Sequence, residues 1–250
     1  MSYMKIERIQ VLSGPNYWSL RPCIQMRLNI GELEEKPTNK LDQFYERLKE
    51  TLPTLYDHRC SIGNAGGFFE RVKDGTWMGH VVEHVALELQ TLAEMDTGFG
   101  RTRESKTSGV YNVVFSYVVS EAGERSAQLA VRFCEDLIDG NDPKLEEIIL
   151  ELKELREEYK LGPSTSSIVE EAVRRGIPYF RLNRGSLVQL GFGKNQERVR
   201  ATMTGQTGSL AVDFAQDKWV TKSFLQDHGI PVPSGLETSS YAKAKVAIKK

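Results

Sequence analysis

Only four histidines occur in the 250 residues, and two of them, His80 and His84, stand four apart with Glu83 directly before the second. They lie in the run Gly75-Thr76-Trp77-Met78-Gly79-His80-Val81-Val82-Glu83-His84-Val85-Ala86-Leu87-Glu88-Leu89-Gln90. At about 100° per helical residue, His80, Glu83, His84 and Leu87 fall in one arc, while Val82, Val85, Ala86 and Leu89 gather opposite. Such a helix has a chemical face and a packing face. Imidazoles four apart on a helix are close enough to bind one metal ion, and a carboxylate beside them can take a proton from a water activated there. The order His-x-x-Glu-His is that of the inverted zinc peptidases. The same side chains could instead hydrogen-bond one another and nearby backbone as a structural polar cluster, and the sequence leaves both readings open.

Two imidazoles do not complete a zinc site. A third protein ligand, expected to be a carboxylate, has to come from elsewhere in the chain. Glu147, Glu151, Glu154 and Glu158 are spaced along a later helix, and Glu151 is the first choice with Glu147 second, set against the commoner reading of such glutamates as a solvated face. Arg101, Arg103 and Lys106 lie in a segment, 96–109, that reads as a loop suited to holding carboxylates, against ordinary solvated charges. Residues 100–107 miss the phosphate-loop pattern: Ser105 stands where its second glycine belongs and a helix, not a strand, precedes it.

The elements that must position these residues can be read from periodicity. Lys5 to Leu12 and Pro22 to Ile30 alternate as strands of a hairpin around Ser13-Gly14-Pro15-Asn16, with Ile24, Met26, Leu28 and Ile30 on one face of the second strand. Asn39 or Asp42 is placed to cap a helix through Phe44, Leu48 and Leu52, ended by Pro53. Cys60 to Phe69 reads as a glycine-rich connection, and Val110 to Val119, rich in Val, Tyr and Phe, as a strand. Glu121 to Asp139 reads as a helix stopped by Gly140. Asp142 and Pro143 then open a charged helix to about Tyr159, expected to project or to bridge domains. Leu161-Gly162-Pro163-Ser164 marks a boundary, followed by a helix over 166–175, a strand over 179–183, two paired strands around residue 194 and a helix from about Ala211 to His228.

Composition bounds the partners. Lys and Arg number 33 against 34 Asp and Glu, so no global basic field points to nucleic acid. The three cysteines, Cys23, Cys60 and Cys134, are widely spaced and fit reduced thiols better than a disulfide framework. No apolar window approaches a membrane span and the first residues lack a signal core, so a cytoplasmic protein without membrane contact is expected.

Arg181-Leu182-Asn183-Arg184-Gly185-Ser186-Leu187-Val188-Gln189-Leu190-Gly191, Asp217-Lys218-Trp219-Val220-Thr221-Lys222 and Gly229-Ile230-Pro231-Val232-Pro233 together resemble the start of an ATP-grasp ligase domain. Combined with residues 75–90 and Gly98-Phe99-Gly100-Arg101-Thr102-Arg103, nearly the whole chain resembles the N-terminal part of cyanophycin synthetase. The resemblance implies an α/β (α+β) fold class: a mixed α/β polymer-binding domain over 1–160 with a long charged helix, then the incomplete beginning of an ATP-grasp domain over 161–250. It implies a ligase that uses ATP and Mg to extend a poly-aspartate backbone and attach arginine to its side chains, with the cyanophycin polymer, aspartate and arginine as substrates. A homo-oligomer is expected of the full-length enzyme. The nucleotide lysine, glycine-rich loop and metal-binding carboxylates of the ligase are expected beyond Lys250, so no ATP-binding residue is assigned in this segment.

Some members of this family also resemble metallopeptidases in the N-terminal domain, cutting polymer internally to make primers. By that resemblance His80 and His84 hold zinc with Glu151 the favoured third ligand, Glu83 activates water, and Arg101 or Arg103 grips an aspartate carboxylate. The alternative is a non-catalytic polymer-docking module in which the His-Glu-His cluster is structural.

Overall fold

Alternation along strand β2 (Cys23–Asn29) places Ile24, Met26 and Leu28 on one buried face, and the sheet grows outward from it. In the computed structural model, which describes residues 3–60 and 63–248, β2 pairs antiparallel with β1 (Lys5–Leu12) and with β4 (Val110–Ser116), while β3 (Gly100–Glu104) closes the order β1-β2-β4-β3. The register sets Ile24 opposite Phe115, Met26 opposite Val113 and Leu28 opposite Tyr111, so one continuous apolar face meets the helices.

Helices α1 (Phe44–Thr51), α2 (Gly67–Asp74), α3 (Met78–Leu92), α4 (Ser120–Asp139) and α5 (Leu145–Tyr159) complete this layer. Helix α3 packs on β3 and β4 on one side and on α4 and α5 on the other. Every residue from Val81 to Gln90 is buried. Phe68, Phe115 and Phe133 are fully enclosed in the same core, each contributing roughly 1.5–3 kcal/mol by burial. A helix held on all sides cannot easily rotate, and that fixes where its polar residues emerge. Its last turn is also tied down: Arg156 of α5 donates to the Ala93 carbonyl oxygen at 3.0 Å and to Glu94 Oε2 at 2.7 Å, a cation at a helix C-terminus.

Several local expectations are corrected. The charged helix α5 does not project; Ile148 and Leu152 are buried and it packs on α3 and α4. Its opening is not capped by Asp142 with Pro143, because Lys144 takes a left-handed conformation (φ 56°) and separates that turn from the helix. Neither Asn39 nor Asp42 caps α1. Residues Thr38–Lys40 form their own short turn, from which the Asn39 amide donates to the Asp74 carbonyl oxygen at 2.9 Å. The segment carrying Arg101 and Arg103 is an edge strand, since the unpaired side of the apolar β4 recruits residues 100–104 in register with 111–115. The glycine-rich connection already begins α2 at Gly67.

Two compact units are present, Met1–Ala201 and Thr202–Lys250. In the first, after α5, come α6 (Pro163–Arg174) and the antiparallel strands β5 (Tyr179–Arg181), β6 (Leu187–Leu190) and β7 (Glu197–Arg200). The second contains β8 (Met203–Thr204), α7 (Ser209–Gln216), α8 (Lys218–Asp227) and α9 (Tyr241–Ile248). One helix was expected from Ala211 to His228. Asp217 divides it, its carboxylate accepting from the backbone N–H of Trp219 and Val220 at 2.9 Å and so capping a new start. Among the described residues, no helix is long and apolar enough to cross a membrane.

Candidate metal centre and cleft

The start of α3 is set by Thr38, whose hydroxyl donates to the Val72 carbonyl oxygen at 2.6 Å and accepts from the Thr76 N–H at 2.9 Å. One turn later Gly79 brings the helix onto the sheet, since a Cβ there would lie 3.1 Å from Tyr111. This close approach points His80, Glu83 and His84 into a cleft of about 710 Å³. His58, Cys60, Arg59 and Arg71 line it from the α2 side, and Gly100 to Arg103 from β3.

Among the described residues, the side chains that gather with metal-ligand spacing are Cys60, His80 and His84, one donor atom of each lying within 4.8 Å of the others. Cys60 Sγ is 3.3 Å from His80 Nε2. Two donors on one tetrahedral zinc, at ~2.0–2.3 Å from the ion, sit roughly 3.3–3.7 Å apart, so this pair already has the separation required. Cys60 takes φ of 48°, one of five non-glycine residues with positive φ among those described. His80 Nδ1 lies 3.1 Å from the Thr76 hydroxyl, which leaves Nε2 toward Cys60. Burial, with the nearby Arg71 charge, pushes His80 down to about 4, and burial beside His80 and His84's other neighbour His58 holds His84 well below its usual range. Both rings are therefore neutral at pH 7, the form that donates to a metal. A thiol and two neutral imidazoles form a donor set that suits zinc.

Glu83 is placed for proton transfer. Its carboxylate accepts from the Thr102 hydroxyl at 2.6 Å, and its other oxygen is 4.0 Å from His84 Nε2. Burial raises its pKa to about 7, against the opposing hydrogen bond from Thr102 and the charges of Arg103 and Arg101, so it can both take and release a proton near neutrality. Gly100 makes this position possible: a Cβ at that residue would collide with Glu83 Oε1. Gly100→Ala should therefore displace the carboxylate while leaving the metal donors in place. Metal affinity within about twofold and at least a tenfold loss of Glu83-dependent activity are expected, with metal titration and turnover measured on the same sample. Retained activity would show that Glu83 tolerates the shift.

The sequence-predicted residues are only partly brought together. His80, Glu83 and His84 converge, and Arg101 and Arg103 line the same cleft from the exposed side of β3. The Arg103 guanidinium donates to the Thr102 carbonyl oxygen at 2.9 Å, and that of Arg101 lies 5.9 Å from the Phe99 ring centroid. Glu151, in contrast, accepts from Arg125 Nε at 2.5 Å and is not among the residues of the cleft. Cys60 and His58 were missed as members of the site. The available signal was His58-Arg59-Cys60 itself, a third histidine beside a cysteine just ahead of the motif helix.

The cyanophycin synthase-like N-terminal domain matches residues 25–139. A cyanophycin synthetase of Crocosphaera subtropica is 49% identical over 250 residues, covering 98% of this chain and 29% of the relative. One from Geminocystis herdmanii is 51% identical over 237 residues, 93% of this chain and 27% of the relative. A third, from Synechocystis, is 48% identical over 98% of this chain and 29% of the relative. The chain thus spans little more than a quarter of the length of these relatives, and over that span it belongs to the cyanophycin synthetase family as an N-terminal part.

Proposed function

We propose that this chain binds multi-arginyl-poly-aspartate and cleaves it internally as a zinc-dependent endopeptidase, supplying chain ends for a ligase. The observation that carries the reading is the convergence of Cys60, His80 and His84 within 4.8 Å, with the Glu83 carboxylate alongside. Zinc held by these three residues would act as a Lewis acid toward a peptide carbonyl and a water. Glu83 takes the proton of the attacking water as the C–O bond forms. It then delivers that proton to the departing amine as the C–N bond breaks. Thr102 holds the carboxylate in position through this exchange. Arg101 and Arg103 offer guanidinium groups to substrate carboxylates. A reduced Cys60 fits a cytoplasmic setting.

The rest of the reading concerns the longer protein. An ATP-grasp domain begins near residue 161, and the full-length enzyme is a homo-oligomeric ligase using ATP and Mg with aspartate and arginine. A second reading, a docking module that does not cut, is favoured by one observation: His80 and His84 already have protein partners in Thr76, Cys60 and His58. Bound zinc by elemental analysis, paired with polymer length before and after chelation, separates the two. Zinc with chelator-sensitive shortening is expected; retained binding with unchanged length and no zinc would leave the docking module. Arg103→Ala should weaken polymer binding several-fold at low salt and less at high salt, because exposed charge pairing is screened. An unchanged salt dependence in a binding titration would remove Arg103 from the substrate contacts.

A further inference from the structure

We infer that His58 and Glu88 are positioning residues for His84, forming a Glu88–His58–His84 relay that fixes which ring nitrogen of His84 faces the cleft. Three of the chain's four histidines meet here, and only two carry the family-like motif; the relay accounts for the third. His58 Nε2 is 2.7 Å from Glu88 Oε2, and His58 Nδ1 is 2.8 Å from His84 Nδ1. Between two ring nitrogens at that distance one carries the hydrogen and the other accepts it. Although burial opposes its ionisation, Glu88 is held below the usual carboxylate range by hydrogen bonds from His58 and Thr54, and so it accepts. With His58 as a neutral imidazole, its Nε2–H donates to Glu88, which leaves the His58 Nδ1 lone pair as acceptor. It follows that His84 carries its hydrogen on Nδ1 and presents a bare Nε2.

That bare nitrogen is the one 4.0 Å from the Glu83 carboxylate, and the zinc reading makes it the donor to the metal. The ring plane is held as well, with Phe68 at 4.4 Å between centroids and 31° between planes. The hydrogen-bond directions are assigned from the network as a whole, and each donor in it has one acceptor. Partners of this kind behind a metal-bound histidine set its tautomer and typically contribute 10–100-fold in metal affinity. His58 follows the turn Pro53–Asp57, its N–H donating to the Leu55 carbonyl oxygen at 3.1 Å. The relay thus anchors helix α3 to the same segment that supplies Cys60.

The metal part of this inference rests on the zinc reading above, whereas the tautomer does not. The test uses this chain with ¹⁵N-labelled histidine and no metal, followed by titration with cobalt(II). In the parent chain His84 is expected as the Nδ1–H tautomer. In His58→Ala it should shift to Nε2–H or a mixture, and cobalt affinity should fall 10–100-fold while the spectrum at saturation stays the same. Glu88→Gln, whose amide can donate as well as accept, gives a milder second variant: mixed His84 tautomers and a smaller loss of affinity. An unchanged tautomer and affinity in both variants would overturn the relay. A changed cobalt spectrum at saturation would also overturn it, by making His58 a ligand. Should the parent chain bind no cobalt or zinc, the zinc reading fails, and the His84 tautomer still decides the relay by itself.

Discussion

Glu83→Gln should abolish polymer cleavage and leave zinc on the chain. The substitution keeps the size of the side chain and an oxygen that can accept from the Thr102 hydroxyl, which in the parent protein lies 2.6 Å from the carboxylate. What it removes is the proton acceptor. General acid–base groups contribute about 10²–10⁴ in rate, so cleavage should fall by that factor, or about 3–5 kcal/mol of transition-state stabilisation. Polymer length distributions measure the loss, and elemental analysis of the same preparation measures the metal. Undiminished cutting would sink the role of Glu83. Loss of zinc along with activity would instead make Glu83 a ligand, contrary to its position beside the donor group and not within it.

The second large effect separates two candidate third ligands. Cys60→Ala should lower zinc affinity at least ~100-fold, since it removes one of the three donors that gather among the described residues, whereas Glu151→Gln should leave affinity unchanged. Glu151 is paired with Arg125 and about 41% exposed, so its loss should cost no more than about 1 kcal/mol of stability. Competition against a chelator of known affinity reads both variants. Zinc lost from Glu151→Gln and kept by Cys60→Ala would restore the carboxylate as ligand and remove the thiol.

What the sequence made legible, and what it did not, follows from the range of the interactions involved. The motif on α3 could be read because helical geometry alone brings His80, Glu83 and His84 to one side. Alternation likewise gave the buried face of β2, and the Val-rich run gave β4. Cys60 was marked in the sequence only by its neighbour His58, because its place beside His80 depends on how α2 and the preceding turns pack beneath α3. The favoured carboxylate, Glu151, came from ligand statistics and the spacing of glutamates on α5. That helix turned out to dock through Ile148 and Leu152, with Arg125 of α4 taking up the carboxylate. Strand β3 escaped notice because an edge strand of Gly, Arg, Thr, Arg and Glu lacks the apolar enrichment of an interior one. Its identity comes from its neighbour β4. At Asp217 the apolar pattern continued across a break that only the side-chain cap reveals.

Position 100 carries a lesson for reading relatives of this protein. The room for the Glu83 carboxylate exists because residue 100 has no side chain, yet that residue lies on a different element, well downstream of the His-x-x-Glu-His signature. A homologue could keep every letter of the signature and lose hydrolysis through one methyl group in a strand that no motif search inspects. If Glu83 acts as proposed, glycine at the start of the neighbouring strand belongs with the helix signature whenever relatives are compared.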